Sequence, residues 1–102
     1  MPRGRPKKVQ LPEANGEKID FEFRHSGARY YIFKISGLLS DDKAGFEVTD
    51  ISALVNQSDY SLDLVVRNLG IIKFRNLVKK NAERALKVTR VFFSAPLNYL
   101  NL

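Results

Sequence analysis

Hydrophobic and polar residues alternate strictly from residue 19 onward. Ile19, Phe21 and Phe23 would point to one side of an extended chain and the charged residues between them to the other, as in a half-buried strand. After turn-forming residues at 25–28, residues 29–36 repeat the alternation. The pattern therefore predicts an antiparallel β-hairpin at the start of the folded chain.

Beyond Phe46 the apolar positions take the spacing of an α-helix. A short helix is predicted over residues 51–55, and a second one, over residues 58–69, ends at Gly70, because glycine is favoured just past a helix end. A third helix is predicted over residues 72–87. Its first part overlaps residues 71–77, which are apolar enough to form a strand instead, so both alternatives stay open there.

The order of these elements predicts the fold class. Residues 88–94 are β-branched and aromatic and are predicted to return as a third strand beside the hairpin, and the apolar tail of residues 96–102 is expected to dock on the body. We therefore predict an α+β fold, with about three helices on one side of a small antiparallel sheet. Residues 19–102 would form this single domain, preceded by a flexible basic arm of residues 1–18.

Charge is divided unevenly along the chain. The net charge is +6, and every charged residue among residues 1–8 is basic. Residues 9–66 carry more acids than bases, whereas residues 67–90 carry eight bases and the single acid Glu83. Cations clustered in two places suit a polyanion, since each phosphate contact releases condensed counterions.

Several function classes lose support from what the sequence lacks. No cysteine is present, which excludes disulfides, thiolate catalysis and cysteine-based metal sites. His25 is the single histidine, and neither Asp20 with Glu22 nor Asp41 with Asp42 has the partners that a nuclease or cation site requires. We expect a surface position for His25 and a protein that is not an enzyme and has no cofactor or metal. No apolar run reaches the ~18 residues of a membrane span, so we expect no membrane partner and an intracellular location.

The first eight residues carry the most specific chemistry. The minor groove of AT-rich DNA is narrow, and its floor offers acceptors without the amino group of G·C pairs, so a reader must be thin and cationic. Gly4 has no side chain to hold the backbone off the floor, while flanking prolines restrict the chain to extended conformations. The candidate DNA-binding residues are Pro2, Arg3, Gly4, Arg5, Pro6, Lys7 and Lys8.

This run resembles the AT-hook, a DNA-binding motif of chromatin-associated high-mobility-group proteins with the same proline, arginine, glycine, arginine, proline core. The resemblance implies that Arg3, Gly4 and Arg5 lie along the floor of an AT-rich minor groove, with Lys7 and Lys8 at phosphates. It covers about seven of the 102 residues and leaves the body unassigned. The alternative is that residues 1–8 belong to an arm that increases solubility, directs nuclear import or binds RNA.

The third predicted helix supplies a second set of candidates. At 100° per residue, four cations fall within about 60° of one another, opposite the apolar stripe. They either contact phosphates beside the hook or form an ordinary solvated face. These possible secondary phosphate contacts are Lys73, Lys80, Arg84 and Lys87.

Two further patterns have structural alternatives. Residues 51–67 resemble a helix-turn-helix unit, but Asp59 and Asp63 would bring negative charge to the groove, so an ordinary helical hairpin is favoured. Strand aromatics could form a base-stacking platform for single strands, although a place in the core is more usual for them. These aromatics are Tyr30, Tyr31, Phe33 and Phe92.

Together these features predict a DNA-binding accessory or regulatory protein, nucleoid-associated or acting in transcription regulation, whose partner is AT-rich double-stranded DNA. A single hook would bind weakly, so the helix, a protein partner or a homo-oligomer would have to add affinity. The alternative is a protein-interaction or structural module that would bind its partner through the tail of residues 96–102 and whose basic arm would only add non-specific nucleic-acid affinity.

Overall fold

A computed structural model describes residues 16–27, 29–56 and 58–101. Five strands, two α-helices and a short 3₁₀ helix follow one another along this part of the chain. They are β1 (Glu17–Ser26), β2 (Tyr30–Leu39), β3 (Gly45–Val55), β4 (Ser58–Tyr60), α1 (Leu62–Leu69), α2 (Ile71–Leu86), β5 (Arg90–Phe93) and the 3₁₀ helix (Ala95–Leu100).

The predicted hairpin is confirmed, and both of its strands are longer than expected. β1 and β2 pair antiparallel, with Phe23 opposite Phe33, and the alternation sends one row of side chains into the core. The rings of Phe23 and Phe33 stack with their centroids 5.0 Å apart. Phe33 and Ile35 are almost fully buried, as the apolar face of a half-buried strand should be.

The helix predicted over residues 51–55 is wrong, because these residues belong to β3. β3 pairs antiparallel with β2, but the register shifts once: Asp50 lies opposite Ser36, whereas Val48 lies opposite Gly37. Thr49 is therefore the extra residue of a β-bulge, at a point where β2 and β3 approach closely. After the bulge, the residues of β3 that face the core are odd-numbered, whereas they are even-numbered before it.

This shift explains the misleading spacing. Phe46 and Val48 face the core before the bulge, and Ile51, Ala53 and Val55 face it afterwards. The change from even to odd numbers puts a three-residue step into an alternating pattern, and a three-residue step is typical of a helix. The sequence thus imitates a helical period where the chain is extended.

The predicted α+β class is therefore wrong, and the fold is mostly sheet, with 45% of the described residues in strands and 36% in helices. β4 pairs antiparallel with β3, so residues 51–55 and 58–60 are strands and neither the helix-turn-helix resemblance nor the helical hairpin of residues 51–67 holds. The C-terminal strand exists, but it does not lie beside the hairpin: β5 pairs parallel with β3. β4 and β5 share one edge of β3, one at each end.

The helices cover one face of this sheet. α1 begins later than predicted, at the N-cap Ser61, whose Oγ accepts a hydrogen bond from the backbone N–H of Leu64. Gly70 ends α1 as predicted, with a φ of 88° that strongly favours glycine. α2 confirms the third helix and excludes the strand alternative, and its Phe74 ring packs against Phe33.

The C-terminal tail docks as predicted, since Leu97 and Leu100 of the 3₁₀ helix are buried. The opposite face of the sheet carries exposed charges of both signs, among them Glu22 directly opposite Lys34. Within the described ranges, no helix has the length and apolar character needed to cross a membrane.

Candidate nucleic-acid interface

The hook-like run of residues 2–8 lies outside the described residues, but the place where the arm joins the body is described. Glu17, Leu39, Phe46 and Val91 form one row of Cα partners across four strands. Three strand spacings place the start of β1 about 14 Å from β5. The arm therefore joins the body at the end of the sheet where the chain passes from α2 into β5.

The cationic stripe predicted on α2 is present in the structure. Lys73, Lys80, Arg84 and Lys87 are all exposed. The first three lie on α2, where the 11 positions from Lys73 to Arg84 span about 17 Å, and Lys87 follows the helix as its left-handed C-cap. Glu83 is the one acidic residue in α2. The exposed face of α2 therefore carries more positive than negative charge.

Among the described residues, no carboxylate lies within ion-pair distance of the four cations of the stripe. An ion pair does join Arg90 and Asp42, 3.5 Å apart, away from the stripe. Arg84 donates a hydrogen bond to the side-chain oxygen of Asn81, and the buried Asn81 in turn donates to the backbone oxygen of Leu77 at 2.8 Å. This relay orients the guanidinium of Arg84 and leaves its charge in place.

A polar pocket at the other end of the molecule was missed by sequence reasoning. It measures about 220 Å³ and lies where the β1–β2 turn meets the start of α2. Its basic walls come from residues far apart in the sequence, and the one local signal was a cluster of basic residues near a turn. The side chains that define this pocket are His25, Arg29, Tyr31, Asn68 and Lys73.

The pocket walls are held by hydrogen bonds. Arg29 Nη1 donates to the hydroxyl of Tyr60 at 2.8 Å, and its guanidinium carbon lies 5.9 Å from the Tyr60 ring centroid. Asn68 Nδ2 donates weakly to the hydroxyl of Tyr31 at 3.4 Å. His25 is half-buried, whereas a fully exposed surface position was predicted. Its Nε2 is shielded from solvent and has no hydrogen-bond partner among the described residues.

An apolar groove of about 600 Å³ adjoins the pocket and runs along the first turns of α2. Leu69 and Lys73 line both the groove and the pocket. Ile72 is 56% exposed at this groove, an unusual position for a large aliphatic side chain.

The base-stacking alternative fails on the geometry. Tyr31 and Phe33 are 1% and 0% exposed, so no base can reach their rings. Tyr30 and Phe92 are exposed, but Phe92 aligns through Glu47 with Leu38, eight residues along β2 from Tyr30, or about 26 Å. The aromatics do not form a platform.

The acidic loop that follows β2 is self-contained. The Asp42 carboxylate accepts hydrogen bonds from the Ser40 hydroxyl and from the backbone N–H of Ala44. These bonds, the Ser40 bond first, and the nearby Arg90 lower the pKa of Asp42 below its ordinary value. Across the described ranges, no three histidine or acidic side chains are grouped so that they could hold a metal ion.

No protein family, curated protein or solved structure matches this chain. The function must therefore be inferred from the charges and shapes of its own surfaces.

Proposed function

We propose that this protein is a DNA-binding accessory or regulatory protein that binds AT-rich duplex through the minor groove. Arg3, Gly4 and Arg5 enter the groove, and Lys7 and Lys8 contact phosphates beside it. The cations of α2 contact the backbone of the same duplex. Binding and not catalysis is the proposed activity, and it takes place on DNA inside the cell.

The observation that carries this proposal is the unneutralised stripe on α2. A row of exposed cations that spans about 17 Å of α2 matches a polyanion that presents one charge per about 1.7 Å of duplex axis. The other face of the sheet alternates acids with bases and offers no comparable attraction. A phosphate backbone therefore has one preferred side of the body.

The position of the arm supports joint binding by the hook and α2. The chain enters β1 at Glu17, at the same end of the sheet as Lys87 and the start of β5. Arg5 and Gly16 are 11 positions apart, which an extended chain spans in at most about 40 Å. The hook can therefore reach a minor groove of a duplex that lies on α2, and two weak contacts joined by a short linker bind more tightly than either one alone.

The decisive experiment compares two variants that lose the same charge. Replacing Arg3 and Arg5 with alanine should abolish the preference for AT-rich over GC-rich duplex, whereas replacing Lys7 and Lys8 with alanine should weaken binding to both duplexes by a similar factor. Fluorescence anisotropy across a salt series measures both effects, and netropsin serves as a minor-groove competitor.

Two outcomes contradict the proposal. Equal binding of the intact protein to AT-rich and GC-rich duplexes would contradict minor-groove recognition by residues 2–8. An unchanged preference for AT-rich duplex in the double arginine variant would show that Arg3 and Arg5 do not recognise the sequence. Stronger competition by RNA than by AT-rich duplex would assign the arm to RNA instead.

The apolar groove favours a second candidate, a protein-interaction module whose arm only adds non-specific affinity. Its surface is the groove beside Ile72, not the tail predicted from the sequence, because Leu97 and Leu100 are buried in the core. Deleting residues 1–10 separates the two candidates. Unchanged localisation and partner binding after this deletion would favour the interaction module.

A further inference from the structure

The pocket at the start of α2 has walls of one charge sign. Arg29 and Lys73 are basic, and none of the residues lining the pocket is acidic. Among the described residues, no carboxylate lies within ion-pair distance of either wall cation. A concave site with two unbalanced cations attracts a dianion more strongly than a flat surface does.

Neutral hydrogen-bond donors complete this environment. Asn68 presents a side-chain amide and Tyr31 a hydroxyl at the pocket wall, and the Asn68–Tyr31 bond of 3.4 Å is long enough to yield to a better acceptor. His25 contributes its imidazole ring to the same wall. An oxygen-rich anion supplies the acceptors that these groups lack.

The guanidinium of Arg29 is oriented before any ligand arrives. Its Nη1 is bound to the Tyr60 hydroxyl, and the Tyr60 ring lies against it, so the side chain is held at the pocket rim. A guanidinium has five N–H donors, and the Tyr60 bond uses one of them. The remaining donors suit the paired oxygens of a phosphoryl group.

We infer that this pocket binds a phosphate monoester dianion. Its volume of about 220 Å³ exceeds the ~30 Å³ share of a single water several-fold, so a phosphoryl group fits inside. The phosphoryl group comes either from the 5′ end of a nucleic-acid strand or from free phosphate or a mononucleotide. The inference goes beyond the hook and holds even if the AT preference fails.

The pocket is the far end of the surface proposed to bind DNA. Lys73 belongs to both the pocket and the stripe on α2, whereas the arm joins the body at the opposite end. A strand that runs along α2 toward the β1–β2 turn ends at this pocket. A 5′-phosphorylated end is therefore better placed than an internal diester, which carries one negative charge, to satisfy both wall cations.

The first test titrates the full-length protein with inorganic phosphate and follows the side-chain amide of Asn68 and the ring of His25 by NMR. Both signals should shift with saturation in the millimolar range, and Lys73→Gln should weaken this binding about tenfold, the usual effect of losing a charge-assisted hydrogen bond. The control Lys34→Gln removes one charge from the other face of the sheet and should leave the binding unchanged. Arg29→Gln gives a second reading if its melting temperature stays close to that of the wild type.

The second test compares AT-rich duplexes that end in a 5′-phosphate or a 5′-hydroxyl. The wild type should prefer the phosphorylated end, and Lys73→Gln should lose this preference. Lys80→Gln lies on the same helix outside the pocket, so it should weaken binding to both duplexes by one factor and keep the preference.

The results separate the two proposals. Absence of phosphate-dependent shifts at Asn68 and His25, or equal shifts in Lys73→Gln and the wild type, would overturn the pocket. Saturable shifts without a preference for phosphorylated ends support it and assign the ligand to free phosphate or a nucleotide. A preference for phosphorylated ends without a preference for AT-rich sequence supports the pocket and contradicts the hook.

Discussion

The outer face of the sheet and the outer face of α2 carry the same kinds of charged residue but differ in the sign of the neighbouring charges. On the sheet, Glu22 lies directly opposite Lys34, and acids and bases alternate across the strands. On α2, Lys80 and Arg84 follow one another one turn apart, with Glu83 as the only acid of the helix. The first face is balanced locally and the second is not.

This difference shows that the neighbours of a charge matter more than the number of charges. Cross-strand pairs of opposite sign stabilise a sheet, whereas like charges four residues apart on a helix destabilise it by about 0.2–0.5 kcal/mol per pair. α2 therefore carries a small internal repulsion that an anionic partner relieves. A balanced face gains nothing comparable from such a partner.

The largest expected effect is on duplex affinity, when two positive charges are removed from either face in separate variants. Replacing Lys80 and Arg84 with glutamine should lower duplex affinity roughly 50-fold at about 0.1 M salt, because each lost phosphate contact removes about 0.9 from the salt slope. The matched change on the sheet, Lys18 and Lys34 to glutamine, should alter affinity by less than about threefold. Anisotropy titrations over a salt series measure both, and equal losses in the two variants would erase the distinction between the faces.

The next effect concerns the bulge that assigns side chains to each face. A Cβ at Gly37 would lie 2.3 Å from the backbone oxygen of Glu47 and 2.5 Å from the Phe46 ring. Gly37→Ala should therefore destabilise the fold by about 2–3 kcal/mol, within the range for overpacked sites. Urea unfolding checks this value.

Gly27→Ala is the control for that substitution, since its new Cβ would make ordinary contact at 3.4 Å with His25. An equal loss of stability in the two variants would mean that the close approach at the bulge is not what makes Gly37 necessary.

A smaller effect is expected on the helical side. Ser61→Ala removes the oxygen that accepts the backbone N–H of Leu64, and loss of such a cap costs about 1 kcal/mol. Thermal unfolding should show the decrease, whereas Ser58→Ala, in the exposed strand β4, should show almost none. An equal decrease in melting temperature for Ser61→Ala and Ser58→Ala would contradict the capping role of Ser61.

The smallest effect concerns Arg90, the cation that has a carboxylate partner. The hydrogen bond from Ser40 is the largest cause of the lowered pKa of Asp42, so Ser40→Ala should raise that pKa toward its ordinary value of 3.8. Arg90→Ala should raise it less. NMR titration of the carboxyl carbon measures the order, and a larger rise in Arg90→Ala would contradict it.

The sign of the accompanying stability effect follows from the lowered pKa of Asp42. A carboxyl group with a lowered pKa in the folded state stabilises the fold above its ordinary pKa, and this contribution disappears as the pH falls through the lowered value. Because Asp42 is exposed, the change is confined to acid pH and small, and Asp42→Asn should flatten it.

Local patterns predicted well wherever neighbouring residues decide the structure. Alternation across the β1–β2 turn predicted the hairpin, and the three- and four-residue spacing around Phe74 and Val78 predicted α2 and its charged face. Gly70 marked the end of α1 because a left-handed φ favours glycine. Ser61 could have been identified as the cap, since serine is a favoured N-cap residue, but Ser58 and Asp59 were equally good local candidates.

Prediction failed where a partner strand decides the structure. Residues 51–55 imitate a helix only because Thr49 bulges against β2, and nothing local marks this bulge. The pocket joins Arg29 and Lys73, which are 44 positions apart in the sequence, so no spacing could predict it.

The sequence by itself determined the hairpin, the two-faced helix α2 and the hook-like run of residues 2–8, because side-chain periodicity and backbone preference act over a few residues. Only the tertiary structure decided that residues 45–55 and 58–60 are strands, that β5 runs parallel to β3, and that separate cations surround one pocket. These features depend on which strands meet and in what register, and long-range packing settles that choice.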